Sequence, residues 1–265
     1  MIAVLGQPRF GAGAIVGMDY SFTNQFVLGL TGAYSYSNVH TSKARAEGHV
    51  NSYYGALYGL LHSRHTFLDF AFIGGYDQFD ASRKIKFSST FVGGISRRAH
   101  TNHDGWNVDG HVEGGVIIDQ WKVVEIRPFL SFDWLWLRED GFKEHGAHSL
   151  NLKVQHADYS MLRSEGGVNL ARCFRGKHGV WIPELSFRVI RENRFYGEHY
   201  HARFVGQSPT FVVKGLNPDR TLYSPGAGLT GTFCKDRLSA ALYYDGEFGD
   251  GYSDQMGSFE FSWLF

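Results

Sequence analysis

Cysteine is almost absent from this chain: two in 265 residues, too few for a disulfide scaffold or a multi-cysteine zinc centre. Proline is scarce too, at 6, which excludes a proline-rich disordered segment. No sign of charge is in excess, since 26 basic side chains balance 26 acidic ones. The whole chain therefore has no net field to draw it to nucleic acid or to an anionic membrane surface. Long hydrophobic runs are missing as well. A spanning helix needs about 20 consecutive apolar residues, and every candidate here is soon broken by Asp, Arg, Ser or Gly. Met1 to Phe10 lacks the charged start and apolar stretch of a signal peptide. What the chain has in abundance is glycine, at 33, and aromatic residues, at 16%.

The apolar residues repeat with period two. Trp106, Val108, Gly110, Val112, Gly114, Val116 and Ile118 share one face, against Asn107, Asp109, His111 and Glu113 on the other. The same alternation runs through Leu28–Tyr36, Leu68–Tyr76, Leu130–Trp136, Trp181–Val189 and Leu238–Tyr244, and ends in Phe259, Phe261, Trp263 and Phe265. Glycine spread through these segments weakens a helix by about 1 kcal/mol each, and residues i and i+2 fall on different sides of one. The segments are strands, and they are longer than the usual five or six residues.

One apolar and one polar face suit either a sandwich or a membrane barrel, with inside and outside exchanged. Strand length favours the membrane, since a tilted strand needs about 9–11 residues to cross. Aromatic residues cluster toward strand ends, at Tyr34 and Tyr36, Trp134 and Trp136, and Tyr243 and Tyr244, as an interfacial girdle requires. Short turns alternate with long polar stretches at 38–49, 80–103, 139–158, 191–223 and 246–256, the pattern of periplasmic turns and external loops. The fold class is therefore all-β, an antiparallel transmembrane β-barrel.

Strands are expected near 11–22, 25–37, 50–61, 66–79, 104–118, 123–138, 159–174, 180–190, 224–233, 237–246 and 257–265, with residues 1–10 an irregular remnant of an external loop. Thr210–Lys214 also alternates and is read as an external extension folded over the rim. These are eleven strands, whereas single-chain bacterial barrels have an even number. The expectation is eleven of twelve, with the chain starting inside the first external loop as a fragment or truncated reading frame.

Several short blocks in order resemble the autotransporter β-domain, the C-terminal translocator of type V secretion. They are Gly17-Met18-Asp19-Tyr20-Ser21-Phe22, Tyr54-Gly55-Ala56-Leu57-Tyr58-Gly59, Asp140-Gly141-Phe142-Lys143-Glu144-His145-Gly146-Ala147, Leu162-Arg163-Ser164-Glu165-Gly166-Gly167, Phe211-Val212-Val213-Lys214-Gly215 and Tyr244-Asp245-Gly246-Glu247-Phe248-Gly249, with a terminal Phe265. The D-G-F-x-E-x-G-A block is the most telling. The resemblance implies a twelve-stranded barrel in the bacterial outer membrane that anchors and helps export a passenger fused to its N-terminus, with a helical linker in the pore. It implies as partners outer-membrane lipid and lipopolysaccharide, the barrel-assembly machinery and the passenger. No nucleic acid, cofactor or metal is expected, and no catalysis. The alternatives are an adhesin-like barrel binding through its external loops, especially 191–223, and a small diffusion pore.

The resemblance also implies that Phe259, Phe261, Trp263 and Phe265 form an assembly signal, besides packing at the periplasmic girdle. The polar faces supply the expected pore lining: Asp69, Asp109, His111, Glu113, Arg163, Glu165, Arg188, Asp245 and Glu260. Arg163 and Glu165 are expected to meet the linker helix or passenger. The histidine pairs His100/His103, His145/His148 and His199/His201 fall on separate external loops and read as surface histidines rather than zinc ligands, which need three or four convergent groups. Gly226, Gly228 and Gly231 match a dinucleotide fingerprint but lie within a strand, with no helix following. Cys173 and Cys234 are placed about 10 Å apart, two strand spacings, too far for a disulfide.

Overall fold

A computed structural model describes residues 7–41, 46–87, 94–119, 124–177, 179–197, 199–214, 220–233 and 237–263. The strands are β1 (Gln7–Thr23), β2 (Phe26–Thr41), β3 (Ala46–His62), β4 (Thr66–Phe87), β5 (Ile95–Val116), β6 (Glu125–Glu139), β7 (Phe142–Lys143), β8 (Leu152–Val154), β9 (Ala157–Ala171), β10 (Phe174–Gly176), β11 (Gly179–Tyr196), β12 (His199–Phe204), β13 (Phe211–Lys214), β14 (Arg220–Phe233), β15 (Leu238–Gly249) and β16 (Tyr252–Trp263). Eleven of them follow one another in a curled antiparallel sheet, β1-β2-β3-β4-β5-β6-β9-β11-β14-β15-β16, with β10 paired to β11. A second, four-stranded sheet, β13-β12-β8-β7, forms at one rim.

The cross-strand register shows which side chains share a face. Leu30 stands opposite Leu57, and Leu57 opposite Phe72; Leu185 stands opposite Ala227, and Ala227 opposite Tyr244. These apolar residues are exposed, Leu30 at 58%, Phe72 at 57% and Leu185 at 60%. A sheet whose leucines and phenylalanines face outward, with charges on its concave side, is inverted relative to a water-soluble sandwich. Such a face is stable only against lipid. Tyr34, Tyr53, Tyr76 and Trp106 lie directly opposite one another on β2 to β5, with ring centroids 5.3, 6.5 and 4.8 Å apart. From Trp106 to Val116 is about 34 Å along a strand at 3.4 Å per residue, or about 24 Å in height at a 45° tilt. That matches the roughly 25 Å apolar band of an outer-membrane barrel.

Several strands run further than the sequence suggests. β4 and β5 are 22 residues each and take in much of the stretch 80–103, expected as loop. Residues 7–10, expected to be irregular, belong to β1. Outside the membrane band both faces meet water, so the alternation fades while backbone pairing continues. Among the described residues apolar packing forms small clusters at the rim, Ile85, Ala99 and Ala147 with Leu150, and Leu152, Val154 and Ala202 with Phe142 and Phe204, besides the buried, directly opposed pair Ile190 and Leu222.

Among the described residues β1 and β16 each have one neighbour in the sheet. Both run from the rim end toward the end with the short turns. Pairing these two edges with each other would make a parallel ladder in a sheet that is otherwise antiparallel.

Candidate functional site

The concave face carries the charges. On β9, Arg163 donates to three carboxylates: Glu165 on its own strand, Glu192 on β11 at 3.2 Å and Glu247 on β15 at 2.5 Å. Glu192 also accepts from Arg220 of β14 at 2.6 Å, and that guanidinium lies 3.7 Å over the ring of Tyr252 on β16. Arg188 of β11 donates to Asp245 at 2.8 Å and to Ser224 at 2.9 Å, and lies 3.8 Å from Glu165. These contacts tie β9 to β16 across the concavity. Glu165 and Glu192 are buried, so each carboxylate depends on its guanidinium partners.

Glycine makes room for the network. Gly167 stands directly opposite Arg188; a Cβ there would fall 2.9 Å from Arg188 Cγ and 2.8 Å from the Phe129 ring. A Cβ on Gly226 would fall 2.2 Å from Ser186 Oγ and 2.7 Å from Asp245 Oδ1. The Gly226, Gly228 and Gly231 spacing thus belongs to the wall of strand β14.

The wall formed by β4 to β6 has a different balance. Asp69 stands opposite Glu113, two like charges on one face, and Glu113 lies within electrostatic range of Glu165 and Arg188. His62 Nε2 is 3.3 Å from Asp69 Oδ1, an ion-pair distance without hydrogen-bond alignment. His111 Nδ1 is 2.6 Å from Asp133, and Asn107 donates to Asp77 at 2.8 Å. Asp109 neighbours Asp77.

All nine residues expected to line a pore fall on this concave side in the register. Arg163, Glu165, Arg188 and Asp245 join one network, with Asp69 and Glu113 beside it. Glu260 lies apart on β16, opposite Ala241. The partners Glu192, Arg220 and Glu247 were not singled out, because the strand limits drawn from the sequence stopped short of all three. The continuing alternation Ile190, Glu192, Arg194 was the available signal. Phe259, Phe261 and Trp263 project from the outer face of β16, each more than half exposed; Phe265 and Cys234 lie outside the described residues.

The block around Glu144 folds back over the rim. Its carboxylate is buried and accepts from Arg83 Nε and Nη2, both at 2.7 Å, and from the Leu152 amide at 2.7 Å. Arg83 also donates to the Leu150 carbonyl at 2.9 Å, and Arg97 to the Ala147 carbonyl at 3.0 Å. His103 is buried between the rings of Phe79 and Phe142, at 5.0 and 4.3 Å, with Nε2 2.7 Å from Glu139. Burial, with Glu139 and Tyr159 nearby, raises the Tyr200 phenol above its ordinary value. The histidine pairs are not on loose loops: His100 and His103 belong to β5, and His199 and His201 to β12. His145 forms a backbone bridge with His100.

This outward-apolar, inward-charged curl agrees with a profile match: the autotransporter β-domain family profile covers residues 8–245. The chain belongs to the autotransporter β-domain family. Among solved structures, the translocator domain of the autotransporter NalP from Neisseria meningitidis is similar at a TM-score of 0.68 and 15% identity, covering 96% of this chain and 81% of that one. The β-domain of the Bordetella autotransporter BrkA is similar at 0.63 and 14% identity, covering 96% of this chain and 91% of that one. At such identities the likeness shows the fold. A comparison with curated protein sequences returns no significant match. Autotransporter β-domains are outer-membrane barrels, and the inverted faces of this one fit that setting.

Proposed function

We propose that this barrel is an outer-membrane translocator and anchor, without enzymatic activity, for a passenger fused to its N-terminal side. The observation that carries the reading is the charged concave face enclosed by an apolar outer face, in a chain of the autotransporter β-domain family. An extended polypeptide in transit has no backbone pairing of its own, so it crosses the membrane only inside a polar channel that keeps its backbone groups satisfied. One more strand, running toward the rim between β1 and β16, would be antiparallel to both and complete a barrel of twelve. The polypeptide preceding the barrel supplies that strand and a helix lying in the pore. In this reading the nine concave residues Asp69, Asp109, His111, Glu113, Arg163, Glu165, Arg188, Asp245 and Glu260 line the channel. Phe259, Phe261, Trp263 and Phe265 present the assembly signal by adding a strand to the assembly machinery, and the outer face contacts lipid and lipopolysaccharide.

The test is surface display. The chain is expressed in a Gram-negative host behind an epitope-tagged reporter, a helical linker and one alternating strand, and intact cells are treated with protease. Loss of the epitope from intact cells, with the barrel retained in the outer-membrane fraction, is the expected result. An assembled barrel whose reporter stays protected from protease refutes translocation.

A further inference from the structure

The rim sheet has two unlike faces. Phe142, Leu152, Val154, Ala202 and Phe204 form its packed side. On the other side Lys143 stands directly opposite Lys153, and Lys153 directly opposite Arg203. Three cations thus lie in line across three adjacent strands, all exposed. At about 4.8 Å per strand spacing the row spans about 10 Å. Like charges directly opposed on one face destabilise a sheet. Among the described residues no carboxylate pairs with any of the three; the adjacent Glu144 is turned the other way, into its contacts with Arg83 and Leu152. The row borders a hollow of about 360 Å³ completed by Val205, Gly206, Gln207 and Ser208. Gly206 holds a left-handed φ of 85° there, and the turn is fixed by the Gln207 amide donating to the Phe204 carbonyl at 3.1 Å.

We propose that this hollow binds a saccharide carrying two or more phosphate or sulfate groups. Ammonium and guanidinium groups make short, charge-assisted hydrogen bonds to such oxyanions, and a row of about 10 Å is long enough to engage more than one of them. Gln207 and Ser208 add neutral donors and acceptors suited to sugar hydroxyls. Among the described residues the lining has no aromatic ring, whereas single-stranded nucleic acid is held largely by stacking its bases on such rings. Repulsion within the row is relieved when the anion is bound.

The experiment measures binding of a sulfated heparin hexasaccharide to the full chain in detergent micelles by calorimetry or fluorescence anisotropy. Inorganic phosphate, inorganic sulfate, neutral dextran and an oligothymidylate serve as comparison ligands. The expected result is saturable hexasaccharide binding that weakens as salt rises, with no binding of dextran. Replacing the three cations together, Lys143→Gln, Lys153→Gln and Arg203→Gln, weakens it at least tenfold. Lys84→Gln with Arg98→Gln, an equally opposed and exposed basic pair on β4 and β5, leaves the affinity within twofold. Hydrogen exchange of the β8 and β12 amides confirms that the triple variant keeps its rim sheet. Four outcomes overturn the proposal: no hexasaccharide binding, equal binding by the triple variant, equal loss with the Lys84/Arg98 pair, or tighter binding of oligothymidylate. Saturation by inorganic phosphate or sulfate at the same affinity as the hexasaccharide overturns its saccharide part.

Discussion

The pair Arg83 and Glu144 offers a sharp test of how the rim is held. Arg83→Ala leaves a carboxylate buried to within 7% of full burial, with the Leu152 amide its one remaining partner among the described residues. It also leaves the Leu150 carbonyl without the Arg83 donor. Removing one member of a buried pair costs about 3–5 kcal/mol because the other charge stays desolvated. The cost falls on the folded-back segment, whose links to the wall are few, so it appears as local opening rather than barrel unfolding. At about 1.4 kcal/mol per tenfold, exchange of the Glu144, Leu152 and Val205 amides, all bonded within the cap, accelerates by about a hundredfold or more. Hydrogen exchange followed by mass spectrometry on the micelle-bound protein reads this directly, with the β3 peptides as the unaffected reference. Arg83→Leu combined with Glu144→Leu removes both charges and recovers part of the protection, since an apolar pair carries no stranded ion. Unchanged cap exchange in Arg83→Ala, or equal acceleration in β3, refutes the reasoning.

Within the membrane band, Leu185→Arg on the outer face is expected to cost about 2–4 kcal/mol, seen as a lower unfolding midpoint in lipid vesicles; no loss there would contradict the lipid-facing assignment. Arg163→Ala takes the guanidinium from Glu247 and leaves Glu192 with Arg220 and Glu165 with the more distant Arg188; it should lower the temperature at which the folded band disappears on a cold-loaded gel, whereas Glu247→Gln, which keeps a hydrogen-bond acceptor, lowers it less. Gly167→Val drives side-chain atoms into Arg188 and Phe129 and should sharply reduce the yield of folded barrel, while Gly55→Ala, with no atom within 4 Å of the new Cβ, should refold with wild-type yield.

The sequence alone was enough to determine the class, the number of strands in the main sheet and which face of each is apolar. The reason is physical. A strand with lipid on one side and a polar interior on the other has two different solvents, so alternate residues are held to alternate chemistry, as from Trp106 to Val116. The rim escaped that logic. Past the aromatic row both faces of β4 and β5 meet water, the alternation fades, and only the backbone ladder from Phe79 to Phe87 reveals the strand. Glu144 and Lys153 look alike as charged loop residues in the sequence. Tertiary structure decides that one is buried against Arg83 and the other stands in a row with Lys143 and Arg203. The same holds in the concavity. Alternation marked Arg163 as inward-facing, but the curvature that brings β9 within reach of Glu247, three strands away, belongs to the curled shape of the sheet and not to any local stretch of chain.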